Sequence, residues 1–410
     1  MALIFALCCG SQIDIAATQN ILINPLVIEM EERELGKSGI KVGVVGLGCE
    51  GLLNKPADYY FEALDLMEAA GANCIDLYSP KPDLRSNLGK ALKGRRKRFV
   101  LQGHLCSTWE NDQYKCTRDL EITRRSFEDQ LTRLDTDYID IGMIHYVDSA
   151  RTWEEIRDRG ILAYAQSLKE AGTIRTIGLS SHNPVVALQA IQDADIGVLM
   201  FSINPCYDLQ PPDEDVEQLW NREKYKGQLV NMDPDRARLY QACMESGIGI
   251  TVMKAFGGGD LLIADKSLAG MALSPFQAIS YALDRPAVDC VLVGAHNLNE
   301  LKECLAYAGS TRAERDYAEV LAKFPRISWK GHCMYCGHCA PCKTHIDIAM
   351  VNKLLNLAEA QDEVPETVRE HYRAFAHNAD ECEECGACES RCPFEVEIRE
   401  NMKRARKIFA

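Results

Sequence analysis

The 410-residue sequence is short of positive charge: 46 Lys and Arg stand against 60 Asp and Glu, a formal net charge of −14. A phosphate backbone or an anionic membrane surface needs a basic face, so neither nucleic acid nor a membrane is expected as partner. Long apolar runs are missing too; no stretch approaches the roughly 20 residues of a spanning helix. The opening MALIFALCCGSQ is apolar but has neither a basic leading region nor a small-residue cleavage site, which argues against export. Residues 1–29 are expected to be a disordered leader, with MEERELG from Met30 reading as a natural start.

Disulfide-like spacing is also lacking. Of 18 cysteines, eight sit in two tight clusters after residue 330 and the other ten are scattered along the chain before them. Disulfide frameworks spread their cysteines to close loops, whereas C-x-x-C repeats bring thiolates to one point. The pattern favours metal and a reducing cytoplasm. With 47% hydrophobic and 26% charged residues, the rest is ordinary globular sequence, long enough for one large domain and a small one.

Before the clusters, short apolar runs recur: VGVVGLG (42–48), CIDLY (74–78), FVLQGH (99–104), YIDIGMIH (138–145), TIGLSS (176–181), GVLMFSIN (197–204), GIGITVMK (247–254) and CVLVGA (290–295). Between them lie segments such as YYFEALDLMEAAG and TRRSFEDQLTRL, whose apolar residues recur at helical spacing. Continuous apolar strands alternating with helices mean buried parallel strands. Eight such units predict an α/β fold, a (β/α)8 TIM barrel, with a doubly wound sheet as the alternative. Barrel chemistry sits at the C-terminal strand ends. Those ends carry Asp76 and Tyr78, His104, His145, Ser180 to His182, Asn204, Lys254, and Gly294 with Ala295. A polar group on strand after strand reads as one converging site.

These residues resemble the aldo-keto reductases over roughly residues 31–310, through RELGKSGIKVGVVGLG, GANCIDLY…LGKAL, LDTDYIDIGMIH, IRTIGLSSHNP and PAVDCVLVGAHNLNELKECL. The resemblance implies carbonyl reduction by hydride from NAD(P), with an Asp, Tyr, Lys and His as machinery. Carried over by motif, the Asp is Asp76 and the His is His145, while Lys81 stands at the Tyr position and His104 at the Lys position. The family's carboxamide and ring partners fall on Ser181, Met200 and Met253, and His296 and Glu300 replace the cations that hold a cofactor phosphate. Weak binding of phosphorylated nicotinamide is therefore expected. Asp76, Lys81, His104 and His145 are the candidate catalytic groups, and Ser180, Asn204, Lys254, Gly294 and Ala295 the candidate cofactor contacts.

CMYCGHCAPC places Cys333, Cys336, Cys339 and Cys342 in C-x2-C-x2-C-x2-C spacing, and CEECGACESRCP places Cys382, Cys385, Cys388 and Cys392 in C-x2-C-x2-C-x3-C-P spacing. Zinc sites usually use two C-x2-4-C pairs separated by a loop. Three thiolates at steps of three, then a fourth, match the ferredoxin run, in which each fourth cysteine serves the other cluster. Two [4Fe–4S] clusters are expected, one on Cys333, Cys336, Cys339 and Cys392, the other on Cys382, Cys385, Cys388 and Cys342. A branch of the same superfamily carries a similar tail. The chain thus divides into a leader (1–29), a barrel (30–310), a connector (311–330) and a small helical ferredoxin-like domain (331–410). Residues 205–232 form a polar insertion that reads as a lid or binding loop.

Hydride carries two electrons and a [4Fe–4S] cluster carries one. The leading expectation is therefore an iron–sulfur oxidoreductase that passes single electrons between an external donor, such as ferredoxin or flavodoxin, and a small-molecule substrate in the barrel mouth. A flavin is the other cofactor able to join the two kinds of chemistry. The alternatives are an NAD(P)H-dependent carbonyl reductase with an altered proton relay, and an electron-transfer or redox-sensing module on an inactive barrel.

Overall fold

A computed structural model describes residues 30–226, 229–324, 327–361 and 363–410; the expected leader lies outside the described residues. Eight parallel strands close into a barrel: β1 (Val45–Gly48), β2 (Cys74–Leu77), β3 (Val100–Leu105), β4 (Ile139–Ile144), β5 (Ile174–Ser181), β6 (Val198–Ser202), β7 (Gly249–Met253) and β8 (Val288–Val293). Each strand pairs with its sequence neighbours, and β8 returns to β1 through Val291 opposite Val45. This closure excludes the doubly wound alternative. The spacing Gly46-x-Gly48-x-x-Gly51 matches a dinucleotide fingerprint, but packing explains two of its glycines. A Cβ at Gly46 would stand 2.7 Å from the Cys74 carbonyl oxygen, and one at Gly51 would stand 1.6 Å from that of Ala295.

The strands read as continuous apolar runs because both faces are covered. β3 and β4 are buried at every position. The floor of the barrel is closed by the hairpin Glu32–Glu34/Lys41–Gly43, whose Leu35, Ile40 and Val42 share one cluster with Cys74, Ile141, Met143 and Leu292. The outer helices follow from amphipathic spacing and caps. Leu120–Leu134 starts where Asp119 accepts from the Ile122 N–H, and it buries Thr123, Phe127, Gln130 and Leu134 along one face. No helix among the described residues is long and apolar enough to cross a membrane.

Two excursions depart from the simple repeat. After β3 the chain forms a hairpin, Ser107–Glu110 with Gln113–Cys116. It turns at Asn111 and Asp112, both with positive φ, as a tight hairpin turn requires. After β6 the insertion is rooted by Asp208, which is fully buried and accepts from the Tyr240 and Tyr281 hydroxyls, each at 2.7 Å, and from Arg236 at 3.3 Å. Further out, Trp220 stands with its ring 6.0 Å from the Lys254 ammonium, and Leu229–Val230 pairs in parallel with Ile327–Ser328. The insertion thus reaches both the end of β7 and the chain that leads to the cysteine runs.

Beyond residue 330 the chain holds the helices Ile348–Glu359, Glu366–Arg373 and Ile398–Phe409. The first and third pack together through a buried Asn401–Asn352 hydrogen bond of 2.5 Å. This part docks on the turn leading into β8: Arg285 donates to the Met334 carbonyl at 2.8 Å, Tyr317 reaches both Asp284 and that carbonyl, and Lys353 donates to the Asp284 carbonyl at 3.2 Å.

Candidate functional site

Three adjacent strands bring Asp76, His104 and His145 to one side of the barrel mouth. Asp76 lies opposite Gln102, and His104 opposite Met143, two residues short of His145. His104 Nε2 lies 2.8 Å from Asp76 Oδ1, and His104 Nδ1 lies 2.7 Å from His145 Nδ1. Gln102 donates a second hydrogen bond to the same Asp76 oxygen at 3.1 Å. The run continues outward: His145 Nε2 is 2.6 Å from the Tyr114 hydroxyl, which is 3.1 Å from Cys116 Sγ. Asp76 and His104 are each 1% exposed and His145 7%, whereas Tyr114 is 41% exposed. Burial, then repulsion from His104, Arg118 and His182, holds His145 well below the usual imidazole range. Burial, then the Cys116 thiol, raises the Tyr114 phenol well above its ordinary value, so it stays protonated.

Neither lysine joins this run. Lys81 caps outward, its ammonium bonded to Asn54 and 5.9 Å from the Trp109 ring. Lys254 lies against Trp220, and Asp76 takes His104 and Gln102 as partners rather than a lysine. On the opposite wall, Ser180 accepts from the Tyr146 N–H at 2.9 Å. Asn204 spends its oxygen on the Cys206 and Tyr207 N–H groups and its amide on the Lys254 carbonyl. Ser181 bonds Asp148, which also holds His182 at 2.8 Å. Beyond β7, Gly258 and Gly259 have positive φ and open space where a Cβ would stand, so a ligand can approach the backbone there. Beyond β8, Gly294 is open in the same way, Ala295 is buried, and Glu300 accepts from the His296 N–H at 2.8 Å.

The cysteine runs repeat one backbone. In each, the residue before the second cysteine and the glycine after it have positive φ: Tyr335 and Gly337, Glu384 and Gly386. Three residues after each fourth cysteine, His345 and Glu395 again have positive φ, and each donates its N–H back to that cysteine's carbonyl. A helix follows at Ile348 or Ile398. Burial raises the Cys333 thiol, and Cys336, Cys339 and Cys392 push it further, so these four sulfurs share one field. Burial carries Cys336 to about 11 and Cys339 to about 12, with Cys392 adding to both. Cys342, Cys382, Cys385 and Cys388 instead line a cavity of ≈ 200 Å³. Burial raises Cys342, but the Thr344 hydroxyl and amide outweigh it and lower its thiol overall.

The aldo/keto reductase family model matches residues 40–267, more than half of the chain. The chain belongs to the aldo/keto reductase family. It is 26% identical over 309 residues to an uncharacterized oxidoreductase of Bacillus subtilis, YqkF, covering 71% of this chain and 95% of that one. It is 24% identical over 325 residues to the aldo-keto reductase YhdN of the same organism, covering 71% and 92%. Among solved structures, aldo-keto reductase AKR11C1 from Bacillus halodurans, in its holo form, superposes with a TM-score of 0.54 at 22% identity, covering 70% of this chain and 94% of that chain. The family match ends before both cysteine runs.

Aldo/keto reductases normally use NAD(P)H, so the family bears on the nicotinamide expectation more directly than on the clusters. Of the candidate catalytic residues, the structure joins Asp76, His104 and His145 and leaves Lys81 apart. It adds Tyr114 and Cys116, which the strand ends do not contain because both arrive on the hairpin after β3. The signal was present in STWENDQYKC, where Asn-Asp stands between alternating residues.

Proposed function

We propose that this protein is a carbonyl reductase of aldo/keto reductase type, in which Asp76, His104 and His145 hold the proton that completes the reduction. The run of hydrogen bonds among these buried groups carries the proposal. A bound nicotinamide would supply hydride to the carbonyl carbon. The residues present fit such a dinucleotide. The open backbone at Gly258 and Gly259 suits a diphosphate, and Lys254 adds a positive charge at the end of the same strand. Glu300 repels a phosphate but accepts from a ribose hydroxyl, which favours the unphosphorylated cofactor. Asp76 fixes the His104 ring, and the buried pair stores or releases one proton without exposing it to bulk water. Turnover of 4-nitrobenzaldehyde with NADH tests the reading. The wild type should consume NADH in preference to NADPH, and His145→Ala should lose about two orders of magnitude or more. Equal rates in both proteins would reject it.

The repeated backbone of the cysteine runs favours a second reading, in which this part holds two [4Fe–4S] clusters. Soft thiolates at these spacings suit iron–sulfur ligation, and the shared field of Cys333, Cys336, Cys339 and Cys392 and the cavity around the other four support the crossed sets. Such clusters would supply single electrons from an external donor such as ferredoxin or flavodoxin. The first run packs against the turn leading into β8, whereas the mouth lies at the opposite strand ends, so the charge would have to cross the barrel wall. Anaerobic purification should give about eight iron and eight sulfide per chain. Stoichiometric zinc without visible absorption would contradict it.

A further inference from the structure

His145 is one of the candidate catalytic groups, yet in the folded protein both of its ring nitrogens are occupied. Nδ1 faces His104 at 2.7 Å and Nε2 faces Tyr114 at 2.6 Å. A substrate oxygen could reach His145 only by displacing Tyr114. Tyr114 is 41% exposed, against 1%, 1% and 7% for Asp76, His104 and His145, and Cys116 beyond it is exposed as well. We propose that Tyr114, delivered to the mouth by the hairpin after β3, is the catalytic residue that hands the proton to the substrate oxygen. This rests on the carbonyl-reductase reading of the same mouth.

The geometry permits two fully satisfied states that differ by one proton. In the first, Tyr114 O–H donates to His145 Nε2, His145 Nδ1–H donates to His104 Nδ1, and His104 Nε2–H donates to Asp76. In the second, His104 donates from both nitrogens, to Asp76 and to His145 Nδ1, and His145 Nε2–H donates to the Tyr114 oxygen. Only the second frees the phenol hydrogen to turn away from His145, toward the exposed Cys116 Sγ at 3.1 Å or a substrate oxygen. When the carbonyl carbon gains hydride, its C–O π pair takes the Tyr114 proton. The Tyr114 O–H bond breaks and is remade from His145 Nε2–H, and His145 takes a proton from His104 in turn. The run ends in its first state, one proton poorer, and is reloaded from water at the mouth. Oxidation of an alcohol runs the same hops backwards. The family's tyrosine position holds Lys81, which is bonded to Asn54, so the phenol enters from another element.

Tyr114→Phe tests this, since the ring can keep its edge contacts with Tyr78 and His145 at centroid distances of 6.2 and 6.0 Å. With 4-nitrobenzaldehyde and NADH, kcat should fall about 100-fold or more while KM stays within about threefold. An unchanged kcat in an active enzyme overturns the proposal and leaves the carbonyl-reductase reading standing. If the wild type turns over with neither NADH nor reduced methyl viologen, the functional reading fails. The run itself is then judged by 15N NMR of the histidine rings. Tyr114→Phe should move the His145 Nε2 resonance away from its hydrogen-bonded position, and an unmoved resonance overturns the proposal.

Discussion

Replacing Asp76 in two ways separates its chemistry from its packing. Its Oδ1 accepts from His104 Nε2 at 2.8 Å and Gln102 Nε2 at 3.1 Å, in a place where the Asp76 and His104 side chains are 2% and 0% exposed. Asp76→Ala removes the acceptor and strands two buried N–H donors. Each orphan costs about 1–3 kcal/mol, so about 2–6 kcal/mol is lost in all. A barrel of roughly 280 residues unfolds with an entropy near 0.6 kcal/mol/K, so the melting point should drop by about 3–10 °C. Asp76→Asn keeps an oxygen for the same donors and should melt within about 2 °C of wild type. It removes the charge that steadies a protonated His104, however, and turnover should fall by about two orders of magnitude or more. Differential scanning calorimetry and steady-state rates on the two variants read both effects. An Asn variant within threefold of wild-type turnover, or an Ala variant that melts like wild type, would refute the reasoning.

Cysteine substitutions should report the crossed ligand sets. Cys336→Ser and Cys392→Ser should each lose the same half of the iron, and Cys342→Ser and Cys385→Ser the other half, measured by iron analysis and electron paramagnetic resonance. Loss that follows the runs instead would contradict the crossing. Asp208→Leu leaves the buried Arg236 cation and two tyrosine hydroxyls without their acceptor. About 3–5 kcal/mol should be lost in denaturant titrations, with the insertion opening to protease first. Burial raises Asp289 from 3.8 to about 6 although it accepts from the Gly36 N–H. Between these values the folded state binds the proton and the unfolded state does not, so this residue's contribution to stability falls as pH rises from about 4 to 6. Asp289→Asn should therefore be more stable than wild type at pH 7, with the gain vanishing near pH 4.

The barrel was legible because parallel strands buried on both faces must be written as unbroken apolar runs, such as VLQGHL and IDIGMI. Asp76, His104 and His145 were legible because a barrel sends strand ends to one mouth. Partners across that mouth were not. Nothing local in the sequence says that Asp76 chooses His104 over Lys254, or that Ser180 and Asn204 satisfy backbone N–H groups, since those choices are made by register and loop path. Tyr114 was hidden for the same reason: a two-residue turn at Asn111 and Asp112 folds it back over His145 from ten residues beyond the His104 strand position. The docking of the cysteine-bearing part on Arg285, at the lead-in to β8, depends on tertiary contacts that no spacing encodes.

A carbonyl reductase must deliver hydride to the carbonyl carbon of a substrate held at this mouth. Reduction of 4-nitrobenzaldehyde with nicotinamide deuterated at both C4 positions, [4,4-2H2]NADH, in ordinary water tests this by mass spectrometry of the alcohol. Hydride transfer predicts one deuterium at the carbinol carbon, carried from the cofactor. An alcohol that acquires its carbon-bound hydrogen from solvent, or that forms only with a one-electron donor, would contradict the account.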